Sequence, residues 1–356
     1  MYILENILQA PNLKIKKSNY ISIVTDNIQT SREILIGFYN YFSEKKAPLE
    51  QKILVLDYLT GEKEQISSKY PIYIGSSEID SEVELGSKTF LYSRILGYFK
   101  EKFPIEPVFL TLNSLMENFF LEDVFENFKK EFSLYSKYSI EFESNPFTPS
   151  DLIKKLDIKY SLNNESKNLN EISNYEKIKL KLSMYEIKEV IGNREKIYIF
   201  NYPESLLTSF EIKQLKKFLE ELATNGDVVL LATNSKFLLG NNLDSVNFVQ
   251  NGKLLNFDKD DILKEKYLEN YPKLEEWSFI EKRLLYLIKN YILEHFEEVK
   301  ITNKLKNEID EIYLKSYEDI FIIIFYLKEI GILYSLDLVY DEHCVFSNYI
   351  NKNFNR

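Results

Sequence analysis

Lys196-Ile-Tyr-Ile-Phe-Asn-Tyr-Pro-Glu204 and Val228-Val-Leu-Leu-Ala-Thr-Asn-Ser235 are two apolar runs separated by a segment of helical period, residues 209–223, which stops at Asn225-Gly226. Short continuous apolar runs bounded by turn formers suit strands buried on both faces. Strand, amphipathic helix, strand then implies a parallel pair joined by a right-handed crossover. The same pattern opens the chain. Strand-type runs at residues 2–4, 20–25 and 52–58 flank a helical stretch over 31–42, in which Ile34, Leu35, Phe38, Tyr41 and Phe42 share one face. Residues 71–75 read as a further strand. The fold class expected is α/β with a parallel sheet core.

Between these halves, residues 87–132 read as largely helical, with Pro104 and Pro107 marking a break between two helices. Residues 138–143 alternate as a strand, and Pro149-Ser150-Asp151 starts a short helix at Leu152. The Asn- and Ser-rich run 161–174 reads as mostly loop and leads into a long helix to about Val190. Beyond about Phe257 the pattern turns helical: 277–296, 302–312 and 317–330, then strand-like pieces near Leu333 and Val345. Three helices and a hairpin would suit either a helical packing domain or a winged-helix-like module. The domains expected are 1–258, carrying a helical insertion over about 76–190, and a mainly helical 259–356.

The chain has 356 residues, a net charge of -10 and one cysteine, Cys344. An acidic protein does not coat nucleic acid with its whole surface, because phosphate needs locally positive potential, but a confined basic groove remains open to it. One thiol excludes an internal disulfide framework, and that thiol is expected to be buried and inert. No apolar run approaches the roughly 20 residues that span a bilayer, and the N-terminus lacks a signal-peptide pattern, so a cytoplasmic location is expected. The two histidines, His295 and His343, lie beside no recognisable nucleophile elbow, and adjacent His343 and Cys344 would point to opposite faces of a strand.

The order of elements resembles an ABC-type P-loop ATPase. There, a strand delivers the chain into a glycine-rich loop whose backbone N–H groups, lysine and Ser or Thr hold phosphate and magnesium. The corresponding stretch here, Thr25-Asp-Asn-Ile-Gln-Thr-Ser-Arg32, contains neither glycine nor lysine; Asp26 sets a carboxylate there and Arg32 is the nearby cation. Asn201 stands where the magnesium-binding Asp is expected, and Asn234 near the place of the switch histidine. Residues 248–255 match the closing hairpin. No catalytic residue is assigned, and no cofactor is required for catalysis. A divergent nucleotide hydrolase, a protein-interaction scaffold working through its C-terminal helices, and an unrelated doubly wound fold remain as alternatives.

Three stretches resemble the long form of the Csn-two family of CRISPR-associated adaptation proteins of type II-A systems. They are Ile21-Ser-Ile-Val-Thr-Asp with the helix to Phe42; Tyr138-Ser-Ile-Glu-Phe-Glu with Ser150-Asp-Leu-Ile-Lys-Lys-Leu156; and Lys196 to Leu207 with Phe210-Glu-Ile-Lys-Gln-Leu. The resemblance implies a P-loop-like core without ATPase activity and a homotetrameric ring that binds double-stranded DNA ends through a basic centre. It also implies action in spacer acquisition beside the CRISPR integrase and effector nuclease, hence antiviral defence. In short members, acidic residues of the second stretch bind calcium. Glu141 and Glu143 fall on matching positions, while Ser139 and Ser144 replace carboxylates.

A basic surface has to be gathered locally in so acidic a chain. On the helix from about Asn170, Lys177, Lys181 and Lys188 fall within about 40° of one another at about 100° per residue. They form a stripe between two apolar ones and are the first candidates for DNA contact, with Lys154 and Lys155 next. Lys213, Lys216 and Lys217 share their helix with Glu211, Glu220 and Glu221 and are set aside.

Overall fold

A computed structural model describes residues 2–5, 12–43, 53–57, 59–66, 69–75, 91–93, 95–97, 105–120, 126–131, 146–148, 151, 160–162, 165–168, 171–185, 194–251, 253–255, 260–273, 275–292, 298–304 and 311–354. The chain divides into two compact units, one of Met1–Ser76 with Lys188–Arg356, the other Ser77–Ile187.

The first unit is built on a six-stranded sheet. Its strands are β3 (Tyr20–Thr25), β5 (Lys69–Gly75), β8 (Glu195–Asn201), β9 (Val228–Ala232), β10 (Val246–Gln250) and β11 (Lys253–Leu254), in the order β11-β10-β3-β9-β8-β5. All neighbours run parallel except the closing hairpin β10–β11. Every residue of β3 and of β9 is buried, the result their unbroken apolar runs call for.

Successive residues of β3 serve opposite faces. Ile21 and Ile23 face a core shared with α1 (Ile28–Phe42), through Ile34, Leu35 and Phe38, and with an antiparallel sheet β2-β1-β4. Its strands are β1 (Tyr2–Glu5), β2 (Leu13–Ile15) and β4 (Leu54–Asp57). Val24 instead joins a second core with Leu239, Leu243, Val246 and Phe248, continuous with the C-terminal segment. The described residues of the C-terminal segment therefore share a core with the sheet.

That segment holds α5 (Asp260–Asn270), α6 (Trp277–Leu287) running on as a π-helical turn Ile288–Ile292, α7 (Tyr317–Ile330) and α8 (Val345–Asn353). With them is a three-stranded parallel sheet of β12 (Glu298–Thr302), β13 (Glu311–Tyr313) and β14 (Leu333–Asp337), in the order β13-β12-β14. α7 is buried from Ile320 through Leu327, as a helix apolar all round must be. Gly331 at φ +80° ends it in the left-handed conformation glycine favours.

Here the structure corrects several expectations. Thr302 and Ile312 end and occupy strands, because Val299 and Ile301 pack at period two while the apolar spacing across 301–312 mimics a helix. Val345 opens a helix instead of a strand, and α5 was not anticipated. A winged module would need an antiparallel hairpin, and among the described residues β12 pairs in parallel with both of its neighbours.

The second unit, Ser77–Ile187, contains α2 (Ile105–Phe120), a hairpin of β6 (Tyr160–Leu162) and β7 (Glu165–Lys167), and α3 (Asn174–Tyr185). Pro107 lies in the first turn of α2, where its missing N–H costs nothing, at the start of the second of the two expected helices. The hairpin replaces the expected loop at 161–167. The expected strand at 138–143 and the helix beyond Tyr185 lie outside the described residues. Among the described residues no helix is long and apolar enough to cross a membrane.

Candidate functional site

The C-terminal ends of β3, β8 and β9 meet at one edge of the sheet, where ligands enter open parallel sheets. β3 ends at Thr25 and α1 begins at Ile28, so Asp26 and Asn27 are the whole connection. A phosphate cradle needs a longer loop of free backbone N–H groups. This turn spends its own: Thr25 Oγ1 accepts from Asn27 N at 3.1 Å, and the Asn27 side chain caps the helix by accepting from Gln29 N at 2.8 Å. Asp26 is exposed, and one of its carboxylate oxygens accepts from Asn251 N at 3.4 Å. Arg32 is also exposed, on the first turns of α1.

The first turn of α1 is covered from β8. Tyr202, in the left-handed region at φ 46°, is hydrogen-bonded through its hydroxyl to Ser31 Oγ at 3.1 Å. Burial, with Glu204 adding to it, pushes the Tyr202 phenol up, and the Ser31 contact opposes them, so the ring stays neutral. Glu204 ties the end of β8 to that of β9. Its Oε1 accepts from Thr233 Oγ1 at 2.8 Å and from Asn234 N at 2.7 Å. Asn234, read as standing near a switch residue, thus has its backbone held by a carboxylate.

Asn201 Oδ1 and Glu204 Oε2 are buried and accept no hydrogen bond from the described residues. Buried acceptors of this kind are ordinarily completed by water. An amide oxygen and one carboxylate fall short of the ligand set a divalent cation needs, and no cluster of three or more His, Cys, Asp or Glu side chains occurs among the described residues.

The loop after β9 is braced by Lys216 of α4 (Ser209–Thr224). Its Nζ donates to Leu239 O at 2.8 Å, lies 3.1 Å from Glu220 Oε1 and sits 3.8 Å above the Tyr20 ring. Burial lowers its pKa to about 8 against the opposing pull of Glu220.

Two of the three lysines of the expected basic stripe are buried. Lys177 is 6% exposed and Lys181 is 0% exposed, and they lie on the side of α3 that also buries Ile178 and Leu182. Positions i, i+1, i+4 and i+5 of a helix share one face, and here that face is the packed one. Lys179 and Ser183 carry the exposed side. Lys188, Lys154, Lys155, Glu141 and Glu143 lie outside the described residues, so neither the remaining DNA candidates nor the calcium candidates have a described geometry. Cys344, expected to be buried, is only partly so.

No protein-family model matches the chain, and no curated protein matches it by sequence. Among solved structures, Stu0660 of Streptococcus thermophilus is similar over its length: 13% identity, TM-score 0.61, covering 99% of each chain. At that identity the likeness shows a shared fold, a mixed α/β arrangement around a mainly parallel sheet.

Proposed function

We propose that this protein is a non-enzymatic, ring-forming binder of double-stranded DNA ends that acts in CRISPR adaptation. The observation that carries the proposal is the two-residue β3–α1 turn, closed by its own side chains where a phosphate loop would stand. A P-loop-like order of strands joined to a place sealed against phosphate fits the adaptation family that the sequence resembles, and fits a nucleotide hydrolase poorly. The full-length likeness to Stu0660 supports a chain built as one fold throughout.

The hydrolase reading has a direct test. With Tyr202 on Ser31 and Asn201 in place of a magnesium carboxylate, ATP hydrolysis stays at background and ATP binding shows no magnesium dependence. Calorimetry that found a magnesium-dependent heat would falsify this.

Assembly has separate support. α2 exposes Val108, Leu112, Leu115 and Met116 along one face, more contiguous apolar surface than a solvated helix ordinarily carries. A second copy of the chain would cover it within a ring. Light scattering of the full chain should give a multiple of 42.3 kDa, a tetramer in this reading. Replacing Leu112 and Leu115 with Glu should return the mass to that of one chain, whereas a monomeric wild-type protein at micromolar concentration removes the ring. The comparison that tests DNA-end binding itself is linear against covalently closed duplex.

A further inference from the structure

Two ammonium groups from separate stretches of the chain flank one exposed ring, and a third lines the cavity beside it. Lys213 on α4 and Lys236 in the loop after β9 place their Nζ atoms 5.5 Å and 5.7 Å from the centroid of Phe237. Lys236 reaches on to Asn290 Oδ1 at 3.3 Å, in the π-helical turn. Lys289 of the same turn is half-buried and faces a cavity of about 390 Å³, whose wall also includes Lys236, Phe237, Asn290, Glu311 and Tyr313. Lys216 is a fourth cation; its own pKa is held down in part by Lys289.

These cations are opposed by few acids. Among the described residues Glu311 is the one acidic residue of the cavity wall, and Glu220 is engaged with Lys216. In a chain of net charge -10 such a concentration of positive charge is a local exception. Burial pushes the Lys289 ammonium down, with Glu220 the opposing influence, so an anion in the cavity would be favoured. Phe237 and Tyr313 stand 42% and 39% exposed beside it, and exposed rings among lysines are the elements that hold a base and its phosphate. The volume falls in the range of small-ligand sites, roughly 300–1,000 Å³. A π-helical turn on the wall is a further mark of such sites.

From this arrangement we infer that the cavity binds one 5′-phosphorylated nucleotide, its phosphate on Lys236 and Lys289 and its base against Phe237 or Tyr313. The site is distinct from the sealed β3–α1 turn, needs no divalent cation because lysines neutralise the phosphate, and does not depend on ring formation or threading. The nucleotide can be free or the terminal residue of a strand.

The test titrates the full chain, without magnesium, with thymidine 5′-monophosphate, thymidine and inorganic phosphate. A second pair of ligands, four-residue oligothymidylates with and without a 5′-phosphate, separates the two sources. Thymidine monophosphate should bind more tightly than thymidine by about tenfold or more, as expected for charge-assisted contacts. Lys236→Ala, at an exposed position, and Lys289→Met, which keeps the buried stem, should each lose about tenfold while melting as wild type. Binding of the monophosphate but not the phosphorylated oligomer assigns the cavity to free nucleotide; binding of both assigns it to strand ends as well. Equal affinity for thymidine and its monophosphate, wild-type affinity in both folded variants, or no binding at millimolar ligand would overturn the proposal.

Discussion

Lys181→Glu is expected to lower the stability of the protein by about 3–5 kcal/mol, the size of loss seen when a buried charge is stripped of its compensation. Lys181 is 0% exposed, with Ile178 and Leu182 buried on the same side of α3. A carboxylate there would be desolvated beside those buried apolar side chains. Lys181→Met keeps the volume and removes the charge, and isosteric apolar replacements of buried ions range from neutral to stabilising. Lys179→Glu, on the exposed side, should change stability by no more than about 0.5 kcal/mol. Urea denaturation of the three variants checks the ordering. Equal midpoints for the two glutamate variants would show that Lys181 is solvated in solution and would restore the stripe as a surface. The consequence for DNA work is direct: loss of binding on reversing Lys177 and Lys181 would report unfolding before it reported a contact.

Linear duplex DNA is expected to bind, and a covalently closed circle of the same sequence is not. A ring admits duplex only at an end, and sliding through it requires indifference to base sequence, so the contacts fall on phosphates. The logarithm of the affinity should then fall linearly with the logarithm of salt, with a slope of about 0.9 per phosphate neutralised. The informative measurement compares the two DNA forms across a salt series on protein whose oligomeric mass has been verified. Equal binding to both forms would sink threading while leaving DNA binding intact. A salt-independent affinity would mean that contacts other than phosphate dominate. Neither result bears on the nucleotide cavity, whose ligand pairs differ by one phosphate and involve no duplex.

The α/β core was legible because its signals are local. The unbroken apolar runs of β3, β8 and β9 and the one-sided helices α1 and α4 set their own periods, and each pairs with neighbours that read the same way. The missing glycines of Thr25–Arg32 were likewise visible as residues, although the two-residue turn was not, since the first helical residue depends on the Asn27 cap. The two described ends of the expected helix over 302–312 differ for a related reason: the apolar spacing fits a helix, and pairing of β12 with β13 and β14 selects strand at Thr302 and at 311–312.

Sequence by itself determined the class of the core, the absence of a glycine loop and the Asn at the end of β8. Tertiary structure decided which side of α3 is covered, and so turned Lys177 and Lys181 inward. It also joined Glu204 to Thr233 and Asn234, brought Lys236 and Lys289 to one cavity, and set Lys213 over the Phe237 ring on its wall. Periodicity is a property of neighbours along the chain, whereas burial and local potential are set by whatever the fold lays against a face. A helix with two apolar stripes and a basic one between them states that a side will be packed, and leaves the choice of side to its neighbours in space.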